Sequence, residues 1–126
     1  MSKKIVYSEK APAPIGPYSQ AVQAGNFLFL SGQIAIDQSS GNLVTENIEA
    51  ETKQVLSNVQ YVLEQAGYGF EDIVKTSIFL KDMNNFGAVN QVYGSYFSSD
   101  FPARETVEVS RLPKDVNVEI SVVAYK

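Results

Sequence analysis

The sequence predicts an α+β sandwich, two helices laid on one face of a mostly antiparallel sheet, in the order β-β-β-α-β-α-β-β. Three observations lead there. Near both ends of the chain, apolar residues alternate with polar ones at the period of a half-buried strand. Between residues 45 and 66 the period lengthens to that of an amphipathic helix. A second, shorter helical stripe separates two more strand-like runs. With 126 residues, 44% of them hydrophobic, and no repeat, low-complexity segment or linker, a single domain over residues 1–126 is expected.

Each element has a local reason. Residues 4–7 (Lys-Ile-Val-Tyr) make a short strand candidate. Pro12, Pro14 and Pro17 stiffen the following loop, because proline cannot donate to a sheet ladder. Residues 18–24 and 27–31 flank Gly25-Asn26, a pair suited to a tight primed hairpin turn. Ser31-Gly32-Gln33 interrupts the apolar run before Ile34-Ala35-Ile36, the mark of a bulge or a close backbone approach. Residues 37–42 are a polar connection.

In the long helix, Ile48, Thr52, Val55, Leu56, Val59, Val62, Leu63 and Ala66 form one stripe. Thr45 or Asn47 suits its cap, Glu46, Glu49 and Glu51 suit the positive end of the dipole, and Gly67 suits its terminus. Val74, Thr76, Ile78 and Leu80 then alternate with Lys75, Ser77, Phe79 and Lys81 as a strand. Asp82 can cap a second helix with the stripe Phe86, Val89, Tyr93 and Phe97. Residues 104–110 and 116–125 are expected to form a closing strand pair across the turn-rich Arg111–Asp115 link. Val116, Val118, Ile120, Val122 and Ala124 fall on the core face, and Asn117, Glu119, Ser121, Val123 and Tyr125 on the other.

Two absences narrow the chemistry. Without cysteine there is no disulfide framework, thiolate nucleophile or thiolate metal cluster. Without histidine there is no Ser-His-Asp triad, histidine base or His-ligated zinc. The formal charge of −4, from 14 acidic and 10 basic residues, argues against nucleic acid as a partner. No apolar run approaches the roughly 20 residues that span a bilayer. Lys3 and Lys4 have no apolar core behind them, so a chain without a secretory signal, soluble and cytoplasmic, is expected.

Glu119 stands between Val118 and Ile120 in a strand-like run, where glutamate is disfavoured. The plain reading is a solvated residue on an open sheet face, and Arg104 reads equally well as a surface cation. Register offers a connection between them. If residues 111–114 close the final pair, Thr106 faces Glu119 and Arg104 lies on the same face; with one more residue in the loop, Arg104 turns to the other side. Both loops are common, so the pattern leaves the choice open. Gly67-Tyr68-Gly69 reads as a helix stop, and Asp37-Gln38-Ser39 lacks the other ligands of a calcium loop. Tyr61, Tyr93 and Tyr96 read as packing residues, while Tyr18, directly after Gly16-Pro17, could hold its phenol over a cleft.

Several of these segments together resemble the RidA (YjgF) family. They are Ile15-Gly16-Pro17-Tyr18-Ser19-Gln20-Ala21, Ser31-Gly32-Gln33-Ile34, Asp72-Ile73-Val74-Lys75-Thr76, Phe101-Pro102-Ala103-Arg104, the run from Val107 to Val116, and Val118-Glu119-Ile120. The resemblance covers nearly the whole chain in matching order. It implies a chorismate-mutase-like α+β fold and a homotrimer with ligand clefts between neighbouring subunits. It also implies hydrolysis of 2-imino acids, such as 2-iminobutanoate and 2-iminopropanoate, to 2-oxo acids and ammonia. These imines arise from enamines released by pyridoxal-phosphate-dependent dehydratases, and the family uses no metal or organic cofactor.

By matching position, the resemblance makes Arg104 the carboxylate-binding arginine and Glu119 the residue that orients and polarises the attacking water. It gives Thr106 the position whose backbone carbonyl helps to hold that water. Tyr18 matches the cleft tyrosine, Ser31 and Gly32 the backbone that approaches the ligand, and Asn90 a polar residue near the same cleft. Two positions depart from the family pattern. Thr106 stands where many members have cysteine, and Glu105 where a small residue is usual. On an alternating strand Glu105 should point away from Arg104. Two other functions stand beside imine hydrolysis: an endoribonuclease or translation inhibitor, an activity that the resemblance also implies, and a non-catalytic reading as a trimer that binds small carboxylates or a holdase-like interaction protein.

Overall fold

A computed structural model describes residues 2–126. Its main sheet has six strands: β1 (Lys4–Val6), β2 (Ala21–Ala24), β3 (Phe27–Leu30), β6 (Ile73–Leu80), β7 (Ala103–Glu108) and β8 (Val118–Tyr125). Their order is β1-β2-β3-β8-β6-β7, antiparallel throughout except for the parallel β6–β7 pair. Helices α1 (Ile48–Gln65) and α2 (Phe86–Gly94) accompany it, as the α+β expectation requires. The core is one cluster, in which Val55, Leu56, Val59, Val62 and Leu63 of α1 meet Leu28 and Leu30 of β3 and the inward residues of β6 and β8. On β8 these are Val118, Ile120, Val122 and Ala124, all buried. No helix among the described residues is long and apolar enough to cross a membrane.

Local signals explain most boundaries. The β2–β3 turn has positive φ at Gly25, +60°, the first central position, where a type II′ turn needs glycine. Asn47, in extended backbone, accepts from Ala50 N at 2.7 Å and starts α1 three residues inside the expected range. Gly67, with φ +82°, stops the helix. Asp82 caps as expected, but what it caps first is a single 3-10 turn, Met83–Asn85, which leads into α2. Within the polar connection after residue 36, β4 (Ile36–Asp37) and β5 (Asn42–Leu43) form a small ladder too short to carry a period-2 signal.

The closing strand pair is corrected by the structure. β7 lies beside β6, not β8, with Thr76 opposite Arg104 and Ile78 opposite Thr106. β8 occupies the other edge of β6, with Phe79 opposite Glu119. The physical reason is the α2 crossover: a strand that leaves β6 through a helix and returns beside it is parallel to it. The link after β7 therefore passes over the end of β6 instead of turning back as a hairpin. Val109 N bonds Leu80 O (2.8 Å) and Lys81 N bonds Asn117 O (3.1 Å) along that path. Lys114 and Asp115 turn it with φ of 56° and 57°.

A buried carboxylate fixes the start of β8. Glu51, fully buried on α1, accepts from Asn117 N (2.7 Å), Asn117 Nδ2 (2.8 Å) and Val118 N (3.3 Å). Besides lying in the first turn of α1, it ties that helix to the strand carrying Glu119.

Candidate active site: two half-sites on opposite faces

Thr76 and Phe79 are three residues apart on β6, so their neighbours Arg104 and Glu119 face opposite sides of the sheet. Arg104 is on the helix face, Glu119 on the open face. Of the two arrangements that the sequence leaves open, the cluster of Arg104, Thr106 and Glu119 does not form within one chain; Arg104 lies on the face opposite Glu119, and Val107 shares the face of Glu119. Thr106 stays with Arg104; its Oγ1 is buried and has no hydrogen-bond partner among the described residues.

The Glu119 half-site begins with the irregularity at Ser31-Gly32. Regular pairing continued from Phe29–Val123 would set Gln33 opposite Glu119, yet Gln33 and Ile120 exchange both backbone bonds (2.8 and 3.1 Å). One extra residue is taken up at Ser31-Gly32, the bulge the sequence suggests. Glu119 fills the space this leaves, and a Cβ on Gly32 would come within 1.9 Å of its Oε2. Ser31 is pinned by Oγ to Ser19 O (2.6 Å) and by its N to Gln20 O (2.9 Å).

Around Glu119 lies a chamber of about 460 Å³. Pro12, Ala13, Ile15, Ile34, Ile36 and Pro113 make its apolar walls; Tyr18, Ser31 and Gln33 are among its polar contributors. Gln20, buried, holds the proline loop in place. Its Oε1 accepts from Ser8 N (2.6 Å), and its Nε2 donates to Ser8 O (3.1 Å) and Pro12 O (3.0 Å). Asn58 Nδ2 holds the opposite wall through Ile34 O (3.0 Å) and Ile36 O (2.9 Å). Asn58 belongs to no sequence motif and Gln20 enters only as one residue of the segment 15–21, so their wall-holding role is exposed by their placement alone. No lysine or arginine lines the chamber, and burial pushes the Glu119 carboxyl above the usual glutamate range of about 4.5.

Arg104 makes the second half-site, with Asn90, Tyr93, Gly94, Phe101 and Pro102 around a cavity of about 450 Å³. Its Nη1 donates to Asn90 Oδ1 at 2.6 Å, and its Cζ lies 5.6 Å from the Phe86 ring centre and 5.2 Å from that of Tyr93. Tyr93 Oη bonds Thr76 Oγ1 at 3.0 Å. Glu105 points to the other face, where it pairs with Lys75 Nζ (3.0 Å) and bonds Ser77 Oγ. The extra negative charge is thus spent away from Arg104.

One half-site offers a cation with free donors, the other a desolvated carboxylate without a cation. Fold and sequence together place the chain: the profile of the endoribonuclease L-PSP family matches residues 8–126, and the chain belongs to that family, the YjgF/RidA family. A RutC family protein of Pyrococcus horikoshii is 54% identical over 124 residues, covering 98% of both chains. The mouse protein named 2-iminobutanoate/2-iminopropanoate deaminase is 46% identical over 124 residues, covering 98% of this chain and 92% of that one. Among solved structures, a Rid-family protein of unknown function from Yersinia pestis superposes with a TM-score of 0.97 at 48% identity, covering 99% of this chain and 100% of that one.

Proposed function

We propose that this chain is a 2-imino acid deaminase, acting on compounds such as 2-iminobutanoate and 2-iminopropanoate in clefts between the subunits of a homotrimer. The reading rests above all on the Glu119 carboxylate, half-buried in an apolar chamber with no cation of its own chain beside it. A carboxylate in that setting suits proton transfer and favours a cationic iminium as its neighbour. Arg104 from a neighbouring copy supplies the anion-binding fork that the chamber lacks. The open sheet face supports such assembly, since Ile5, Phe27, Phe29, Val107 and Tyr125 stand exposed on it. The name of the mouse relative supports the reaction.

In this mechanism Arg104 grips the substrate carboxylate and Glu119 directs a water at C2. The water oxygen adds to C2 as its proton passes to Glu119, giving a carbinolamine. Glu119 returns that proton to nitrogen, the C–N bond breaks, and ammonia departs. The hydroxyl proton leaves to Glu119 or solvent as the 2-oxo acid forms. Tyr18 and the Ser31-Gly32 backbone border the reacting carbon, Thr106 lends its backbone carbonyl to the water, and Asn90 acts through Arg104.

The test supplies freshly generated 2-iminobutanoate and follows 2-oxobutanoate. Wild type should accelerate its formation, while Arg104→Ala and Glu119→Gln alone should not. Refolded together in equal amounts, the two variants should recover about a quarter of the wild-type rate, because one interface in four then joins an intact Arg104 to an intact Glu119. No acceleration by wild type removes the deaminase reading. Inactive mixtures that still assemble remove the shared cleft.

The family profile's description, an endoribonuclease, names a second activity. The net charge of −4 gives a phosphate backbone little to hold. RNA cleavage in proportion to added protein, abolished by Glu119→Ala, would establish it.

A further inference from the structure

Phe86 and Tyr93, two members of the α2 packing stripe, and Asn90 on the same helix face all approach one guanidinium. They are spaced i, i+4 and i+7, so they share one helix face. Seven residues of helix rise about 10.5 Å, so a group between 5 and 6 Å from each ring lies between the two. We propose that these three residues form a cradle that fixes the plane and the working edge of Arg104. The rings of Phe86 and Tyr93 hold the plane. Asn90 engages one N–H of Nη1, which leaves Nε–Nη2 as the fork on which neither nitrogen is engaged among the described residues. An incoming carboxylate is then received at the Nε–Nη2 edge, in a single orientation.

The cradle is itself anchored. Tyr93 is buried, and its hydroxyl is tied to Thr76, the residue directly beside Arg104 in the sheet. Strand, helix and guanidinium thus form a closed set of contacts. This makes Phe86, Asn90 and Tyr93 positioning residues, and it gives Asn90 a role other than direct contact with the ligand.

The inference rests on the deaminase reading for its carboxylate, so the test has two arms. The first needs no ligand. The chain has two arginines, Arg104 and Arg111, and Arg111→Lys separates their signals. In the assembled protein labelled with ¹⁵N, the Arg104 Nε–H resonance should be displaced by ring currents and exchange slowly with water. Phe86→Leu should move it toward the free-arginine position, and Phe86→Tyr, which keeps the ring, should restore it. The second arm measures 2-oxobutanoate binding by calorimetry, together with imine turnover. Phe86→Leu should weaken binding and raise KM about tenfold with kcat changed much less, and Phe86→Tyr should recover most of the loss.

An Arg104 resonance identical in wild type and Phe86→Leu overturns the cradle, as does a loss confined to kcat. A wild type that neither binds 2-oxobutanoate nor turns over the imine overturns the deaminase reading alone, and the resonance still decides the cradle.

Discussion

The Glu119 carboxylate lies against Gly32 so closely that a methyl group there would meet Oε2 at 1.9 Å. The obstructing atom is the end of a flexible side chain, so Gly32→Ala should fold with little loss of stability while turning Glu119 out of place. A misplacement of this size is expected to cost about 100-fold in kcat/KM. Parallel measurements of turnover and thermal unfolding check it; loss of both together would make Gly32 a folding residue instead.

Burial raises the pKa of Glu119, and the base form is the one that accepts a proton from water. Activity should therefore fall on the acid side at a pH above the ordinary value of 4.5. Glu119→Gln should lower kcat by about 10²–10⁴-fold and abolish this limb. The same shift carries a sign for stability. With the folded pKa above the unfolded one, the contribution is present below pH 4.5 and lost as pH rises through the folded value. Glu119→Gln should thus be the more stable protein at pH 7, and its urea midpoint relative to wild type should drop as pH falls to 4.

Glu51 satisfies two backbone donors and one amide at the start of β8 without any contact to the chamber. Glu51→Ala leaves Val118 N buried and unpaired, at about 1–3 kcal/mol, and the two part-buried Asn117 donors at less, because water can reach them. Urea unfolding should register a total loss of roughly 2–5 kcal/mol, with a smaller loss for Glu51→Gln. A change below 0.5 kcal/mol, taken as about the level of an ordinary surface substitution, would contradict the anchoring role.

Arg104→Lys keeps the charge but removes the planar fork and its fit between two rings. A rise in KM of about 10–100-fold is expected, with a smaller change in kcat. Steady-state kinetics on 2-iminobutanoate decide this, and an unchanged KM would show that charge alone suffices.

Much of this fold is legible in the residues themselves. The stripe from Ile48 to Ala66, the inward set Val118, Ile120, Val122 and Ala124, the glycine at the β2–β3 turn and the interruption at Ser31-Gly32 are local patterns. Each is dictated by the period of one element or the φ of one residue. The pairing of β7 is of another kind. Alternation tells which residues of a strand share a face, yet it carries no information about which strand lies alongside. The short Arg111–Asp115 link suggested a hairpin, and the α2 crossover placed β7 beside β6 instead.

Arg104, Asn90, Glu119, Tyr18, Ser31 and Gly32 are singled out by the resemblance of their segments to a known family. Their division between opposite faces was decided by the fold, because it depends on the order β8-β6-β7 and on an odd separation along β6. The stripe of Phe86 and Tyr93 is the same in both respects: its spacing is that of any core-facing helix, and only the arrival of Arg104 from a distant strand makes those rings hold a cation. Period and propensity are properties of neighbours in sequence, whereas a binding pocket is made by residues that long-range packing brings together.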